Sequence, residues 1–206
     1  MHTIDSNRPD AASILAATLH GGGVAVVPTD TIYGLSTPLS SREGYQRVLE
    51  IKRCVPDRRF LHLAGSVDMV RSYIASWGCG SKDRLAAIWP APLTGVFCAG
   101  DACPDWVGDT IAFRIPALGL LTEAVNILDE PIVSTSVNIT GEAPLNDFHE
   151  IAGRLGEHVD LLVDGGPPRV AHPSTIVDFT GTEPVVIRAG AYDWAGEGNP
   201  SNGWSL

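Results

Sequence analysis

Lysine is nearly missing from this 206-residue chain. Of fourteen basic residues twelve are arginine, and the exceptions are Lys52 and Lys82. Against 24 acidic residues the net charge is −10, which argues against a broad nucleic-acid footprint, since that requires clustered positive charge. A small anionic ligand is still admitted, because a pocket can be locally cationic. Cysteine is sparse as well. Cys54, Cys79, Cys98 and Cys103 form neither a CxxC pair nor a zinc spacing, so free structural thiols are expected. The six histidines make no HExxH or HxxxH, and no dedicated metal site is expected. No apolar run approaches a membrane span, and the opening MHTIDSNRPD has neither the basic start nor the apolar core of a signal peptide. A cytoplasmic protein without membrane attachment is the default expectation. There is no G-x-x-x-x-G-K-[ST] loop, and Gly21-Gly22-Gly23 stands between a helix and a strand, the reverse of a phosphate-binding turn.

What is present fits a globular α/β protein. Hydrophobic residues make up 44% of the chain, an ordinary share for such a domain, and the length suits a single unit over residues 1–190. Residues 191–206, AYDWAGEGNPSNGWSL, have loop composition and are expected to form a loosely held tail. Helical spacing is expected over 10–20, 41–52, 66–76, 81–88, 118–128 and 146–155. Strands are expected over 24–27, 60–64, 94–99, 110–115, 132–136, 159–163, 174–179 and 184–188. Interleaved strands and helices predict an α/β fold with a mixed, twisted sheet.

Polar groups collect at the ends of these apolar strands, where open α/β sheets place ligands. Pro28 to Leu35, PTDTIYGL, follows the run Val24 to Val27 and carries Thr29, Asp30, Thr31 and Tyr33. Alone it reads as a turn whose Asp and Thr cap the next element. Lys52 to Arg59, KRCVPDRR, holds four cations in eight residues. In Thr110 to Pro116, TIAFRIP, alternation puts Thr110, Ala112 and Arg114 on the face opposite Ile111, Phe113 and Ile115. A buried strand arginine demands an anion, and either a carboxylate of this chain or a ligand carboxylate or phosphate would serve. Ser134, Ser136 and Asn138 of STSVNITG share one side of an extended segment, and Ser174 and Arg188 lie at two further strand ends.

Taken in order, PTDTIYGL, IKR, WPAPLT, AFRIP, STSVNITG, PSTIVD and VIRAGA make the chain from about residue 10 to 191 resemble the YrdC-like family of L-threonylcarbamoyladenylate synthases. The resemblance implies a twisted α/β sheet around a deep cavity, with ATP bound without a P-loop. It implies synthesis of threonylcarbamoyl-AMP from L-threonine, bicarbonate and ATP with release of pyrophosphate. A separate tRNA threonylcarbamoyl transferase would then modify adenosine 37 of ANN-decoding tRNAs. Thr31, Tyr33, Arg114, Ser134 and Ser174 would meet L-threonine. Lys52, Cys54, Arg58, Thr110, Ser136, Asn138 and Arg188 would meet ATP. Mg²⁺ would travel with the triphosphate, held by phosphate and water. No covalent nucleophile is required.

The family's K-x-R reads Lys52-Arg53-Cys54 here, a thiol in place of a cation, and the K-P that follows has become Arg58-Arg59. Arg53 and Arg59 are the guanidinium groups near enough to compensate. The alternatives are a nucleotide-binding paralogue with altered or lost synthase activity, and a non-catalytic RNA-binding module.

Overall fold

The computed structural model describes residues 2–54, 59–168 and 172–194. Arg58 therefore lies outside the described residues. Strand β1 (His2–Asp5) leads into helix α1 (Ala11–His20), β2 (Ala25–Val27), β3 (Gly34–Pro38) and α2 (Arg42–Lys52). Next come β4 (Leu61–Leu63), α3 (Val67–Tyr73), α4 (Lys82–Ile88), β5 (Leu93–Cys98) and β6 (Thr110–Arg114). The chain continues through α5 (Gly119–Leu128), β7 (Ile132–Ser136), α6 (Phe148–Leu155), β8 (Leu161–Asp164), β9 (Thr175–Asp178) and β10 (Val185–Arg188). All ten strands form one mixed sheet in the order β1-β8-β2-β3-β7-β4-β6-β5-β9-β10.

The helix boundaries follow local chemistry. Ser41, Ser66, Ser81 and Asp147 each accept a backbone N–H of the following turn, at Gly44, Met69, Arg84 and Glu150. Helix α2 ends where Arg53 turns left-handed (φ 50°), a conformation rarely adopted without glycine or asparagine.

Strands β1 and β3 were not expected from the sequence. In β1 only Ile4 is buried, so no alternation marks it, and parallel pairing with β8 makes it a strand. In β3 the residues GLSTP lack β-branched or aromatic density, but they are buried throughout between β2 and β7. The segment 28–33 is thus the connection of an antiparallel β2–β3 pair, and both its ends are fixed by ladders.

Three apolar clusters hold the sheet. Helices α1 and α5 cover one face through Leu15, Leu19, Leu121 and Val125 over Val27, Leu63, Ile132 and Val163. On the opposite face α2 and α6 bring Val48, Leu49 and Ile151 onto Val26, Leu35, Val133 and Leu162. Val70 of α3 and Leu85 of α4 pack on Phe97, Ile111, Phe113 and Val177. The chain beyond β10 joins this last cluster: the Trp194 ring stands edge-on to Phe179 at 5.4 Å with the Arg84 guanidinium 4.1 Å over it, and Tyr192 exchanges hydrogen bonds with Thr175. Residues 191–194 are therefore held; the rest of the expected tail, 195–206, lies outside the described residues.

His62 of β4 lies on the packed side of the sheet, in register with Phe113 and 5.8 Å from its ring. Its Nδ1 is 3.2 Å from Ala112 O, and its Nε2 is buried without a partner. Burial pushes the imidazolium down from 6.5 to about 4, opposed by the Ala112 contact. Since the folded value is depressed, the stabilising effect of a neutral His62 is present above pH 6.5 and is lost as pH falls toward 4. Unfolding free energy should drop by about 3 kcal/mol over that window from this residue. Urea midpoints at pH 7 and 4.5 test this: His62→Phe should flatten the difference, and an unchanged pH slope would refute it.

Candidate active site

Strand alternation builds a cavity beside the α1–α5 layer. Ser134 of β7 and Leu61 of β4 lie on the same face as Ile132 and Leu63, two residues away, which carry those helices. Beyond them none of the described residues lining this face belongs to a helix. The open stretch is a cavity of about 460 Å³ floored by Leu61, Ala112, Val96 and Ile176. Its walls include Thr29, Thr31, Tyr33, Arg59, Thr110, Arg114, Ser134, Ser136, Ser174 and Arg188. Cavities of 300–1,000 Å³ with an apolar floor and a few convergent polar groups are the ordinary form of a small-molecule site.

Arg114 ends β6 at the bottom of this cavity, with its side chain 3% exposed. Nη2 lies 3.2 Å from Oδ1 of Asp30, which is completely buried, and Nη1 donates to Thr31 Oγ1 at 3.2 Å. Neither Asp30 Oδ1 nor, separately, Arg114 Nε has a hydrogen-bond partner among the described residues. Asp30 Oδ2 accepts the Ala117 N–H at 3.2 Å and so ties the β6–α5 turn to the hairpin. The resident partner of the strand arginine is thus one of this chain's own carboxylates. Asp30 was legible as part of PTDT but not as that partner.

The hydroxyls of the hairpin are oriented by elimination. Thr29 Oγ1 donates its one proton to Ile32 O at 2.7 Å, so across the 3.0 Å Thr29–Thr31 contact Thr31 is the donor. Thr31 Oγ1 then accepts from Arg114 and keeps one further lone pair at the cavity wall. Tyr33 lines the cavity with its ring, but its hydroxyl donates to Gly166 O at 2.8 Å and accepts from Gly165 N at 2.9 Å. It holds the β8–β9 loop.

Arg188 reaches the same end of the cavity through a register shift. Val186 pairs with Val177 and Arg188 with Ile176, leaving Ile187 unpaired between them. The bulge puts Arg188 on the face of Ile176, toward the cavity. Its Nη2 donates to Ser174 O at 2.7 Å, and Ser174 Oγ contacts Thr94 Oγ1 at 2.8 Å. Burial first, and then the nearby Arg114 charge, push the Arg188 guanidinium below its ordinary value. Two cations face one another across a space in which no described lining residue is a carboxylate.

The other expected residues are placed differently. Lys52 is buried and does not line the cavity; its Nζ donates to Ser136 O at 2.7 Å, Asn138 O at 3.1 Å and Asn138 Oδ1 at 2.8 Å. Asn138 Oδ1 also accepts the Ser136 hydroxyl at 2.6 Å, so Ser136 meets the cavity as an acceptor. Cys54 Sγ stands 2.7 Å from Thr140 Oγ1, away from the cavity. Arg53 lies on the groove between α2 and α6. Arg59, expected only as a substitute for the missing cation of K-x-R, lines the cavity and donates to Thr110 Oγ1. Among the described residues no three His, Cys, Asp or Glu side chains could share a metal ion, and no helix is long and apolar enough to cross a membrane.

The twisted mixed sheet, the arginine-lined cavity and the missing P-loop define an α/β protein whose strand ends present cations to an open cavity. Comparison with known proteins narrows this class. Residues 17–190 match the model of the Sua5/YciO/YrdC family, which carries the description "Telomere recombination". The chain belongs to this family. It is 32% identical to the threonylcarbamoyl-AMP synthase of Xanthomonas axonopodis pv. citri over 182 residues, 85% of this chain and 94% of the relative. Among solved structures it resembles Escherichia coli YciO with a TM-score of 0.82 at 25% identity, covering 93% of this chain and 96% of that one. It also resembles Pyrococcus abyssi Sua5 complexed with L-threonine, with a TM-score of 0.85 at 24% identity. There the match covers 93% of this chain and 57% of the longer Sua5 chain.

Proposed function

We propose that this protein is a threonylcarbamoyl-AMP synthase, condensing L-threonine, bicarbonate and ATP and releasing pyrophosphate. The observation that carries the reading is Arg114: a buried guanidinium at the cavity floor, already balanced by Asp30, that still keeps an unpartnered Nε. A ligand carboxylate is the group that fits it, and charge-assisted pairing of this kind fixes orientation as well as affinity. Arg188 adds a second positive charge at that end. The family relationship and the synthase name of the Xanthomonas relative support the same substrate.

The chemistry then needs no protein nucleophile. The threonine nitrogen takes up carbon dioxide from bicarbonate to give a carbamate, with loss of water. A carbamate oxygen attacks the α-phosphorus of ATP, forming the P–O bond of the adenylate as the bond to pyrophosphate breaks. Positioning two anions and neutralising charge on the phosphate oxygens are the protein's contributions. The lining has no described carboxylate, so Mg²⁺ suits this site as part of MgATP, held by phosphates and water. The product is a reactive mixed anhydride, passed to a separate tRNA threonylcarbamoyl transferase in the cytoplasm. Direct tRNA binding is not needed for this, and the net charge of −10 disfavours it.

Pyrophosphate release from ATP, measured with threonine and bicarbonate each present or omitted, tests the reading. Release should require both, and release indifferent to threonine would overturn it.

A further inference from the structure

We infer that Arg59 is the residue that holds the phosphate chain of the nucleotide, from a position outside the K-x-R segment. This rests on the ATP-dependent reading above. The cations lining the cavity among the described residues are Arg59, Arg114 and Arg188. Arg114 and Arg188 stand together at one end, close enough for the Arg114 charge to push the Arg188 guanidinium down. Arg59 stands at the opposite end, bonded to Thr110, the first residue of the strand that Arg114 ends. Four residues of strand separate the two ends by about 13 Å at 3.3 Å per residue. One small anion does not satisfy both, whereas an amino-acid carboxylate at one end and a phosphate chain at the other does.

The Arg59 guanidinium is built to receive an anion. Among the described residues it has no carboxylate at ion-pair distance, and only its Nη1 donates to the protein. Thr110 Oγ1 accepts that bond and so keeps its own proton to donate, giving two convergent donors. The backbone opposite is Gly108 (φ +81°), where a Cβ would lie 3.2 Å from Arg59 Nη2. A side chain there would be strained and would crowd the guanidinium. Of the segment's other described cations, Lys52 is bound by Ser136 and Asn138, and Arg53 lies over the α2–α6 groove. Arg59 is also exposed, so its replacement should leave the core intact.

Calorimetric titration of MgATP and of AMP, without threonine or bicarbonate, tests the assignment on the full chain. Arg59→Ala should weaken MgATP about ten- to a hundred-fold, the range of one charge-assisted hydrogen bond, while AMP affinity stays within about three-fold, a factor of well under 1 kcal/mol. Arg59→Lys should recover part of the loss, and Arg53→Ala, an equal change of charge, should bind MgATP as the unaltered protein does. A threonine-induced rise in melting temperature retained by Arg59→Ala would show that its cavity is folded. Equal MgATP affinity with and without Arg59, or equal losses for ATP and AMP, would overturn the assignment. Failure of the unaltered protein to bind MgATP would instead overturn the ATP reading itself.

Discussion

Replacing Arg114 with alanine is expected to abolish the threonine dependence of pyrophosphate release and to destabilise the fold by about 3–5 kcal/mol, the range for breaking a buried ion pair from one side. The two effects have different origins. The first comes from losing the guanidinium whose Nε has no protein partner. The second comes from Asp30, which would keep a completely buried carboxylate with only the Ala117 N–H against it. Burial pushes the Arg114 guanidinium down while the Asp30 charge holds it up, so each charge is tolerable only because the other is present. The double variant Asp30→Ala/Arg114→Ala should therefore recover stability relative to the single one, because it removes the unpaired charge. It should not recover threonine dependence. Denaturant midpoints and pyrophosphate assays on the three variants separate the effects. A single variant that keeps threonine-dependent turnover would refute the role given to Arg114.

The same residues show what the sequence could and could not disclose. Alternation in TIAFRIP placed Thr110, Ala112 and Arg114 together, and all three line the cavity; period-two patterning is local and survives folding. The partner of Arg114 lies 84 positions away, and its identity depends on how the β2–β3 connection folds over β6. Strand β3 escaped notice because its burial comes from neighbours on both sides, whereas its own residues carry no strand signature. Arg188 was legible as a strand-end cation, but its aim into the cavity comes from a bulge at Ile187 that no spacing announces. The cluster KRCVPDRR was visibly cationic, yet its side chains diverge: Lys52 inward, Arg53 to another groove, Arg59 into the cavity. Composition showed that cations were available there, and only the backbone path decides which of them meets a ligand.

Lys52→Met should produce the second large effect, although Lys52 does not itself line the cavity. Its ammonium gathers Ser136 O, Asn138 O and Asn138 Oδ1, and its own carbonyl accepts Thr140 N at 2.9 Å. The lysine thus fixes the path of residues 136–140 from both of its ends. Methionine matches its length but leaves three oxygens without their shared cation. At 1.5–3 kcal/mol for hydrogen bonds to a charged group, and allowing for strong overlap among the three, a loss of about 3 kcal/mol in stability is expected. Turnover should fall with it, because Ser136 lines the cavity and its hydroxyl is aimed by Asn138. A double-mutant cycle with Asn138→Ala, read in both urea midpoint and kcat/KM for ATP, tests this reading. If Lys52 acts by holding the loop, the two substitutions share one network and their effects should fall well short of additive. If Lys52 instead binds phosphate directly, stability should barely change and the kinetic losses should add. Additive losses without destabilisation would return Lys52 to the ATP site and give the phosphate chain a second cation beside Arg59.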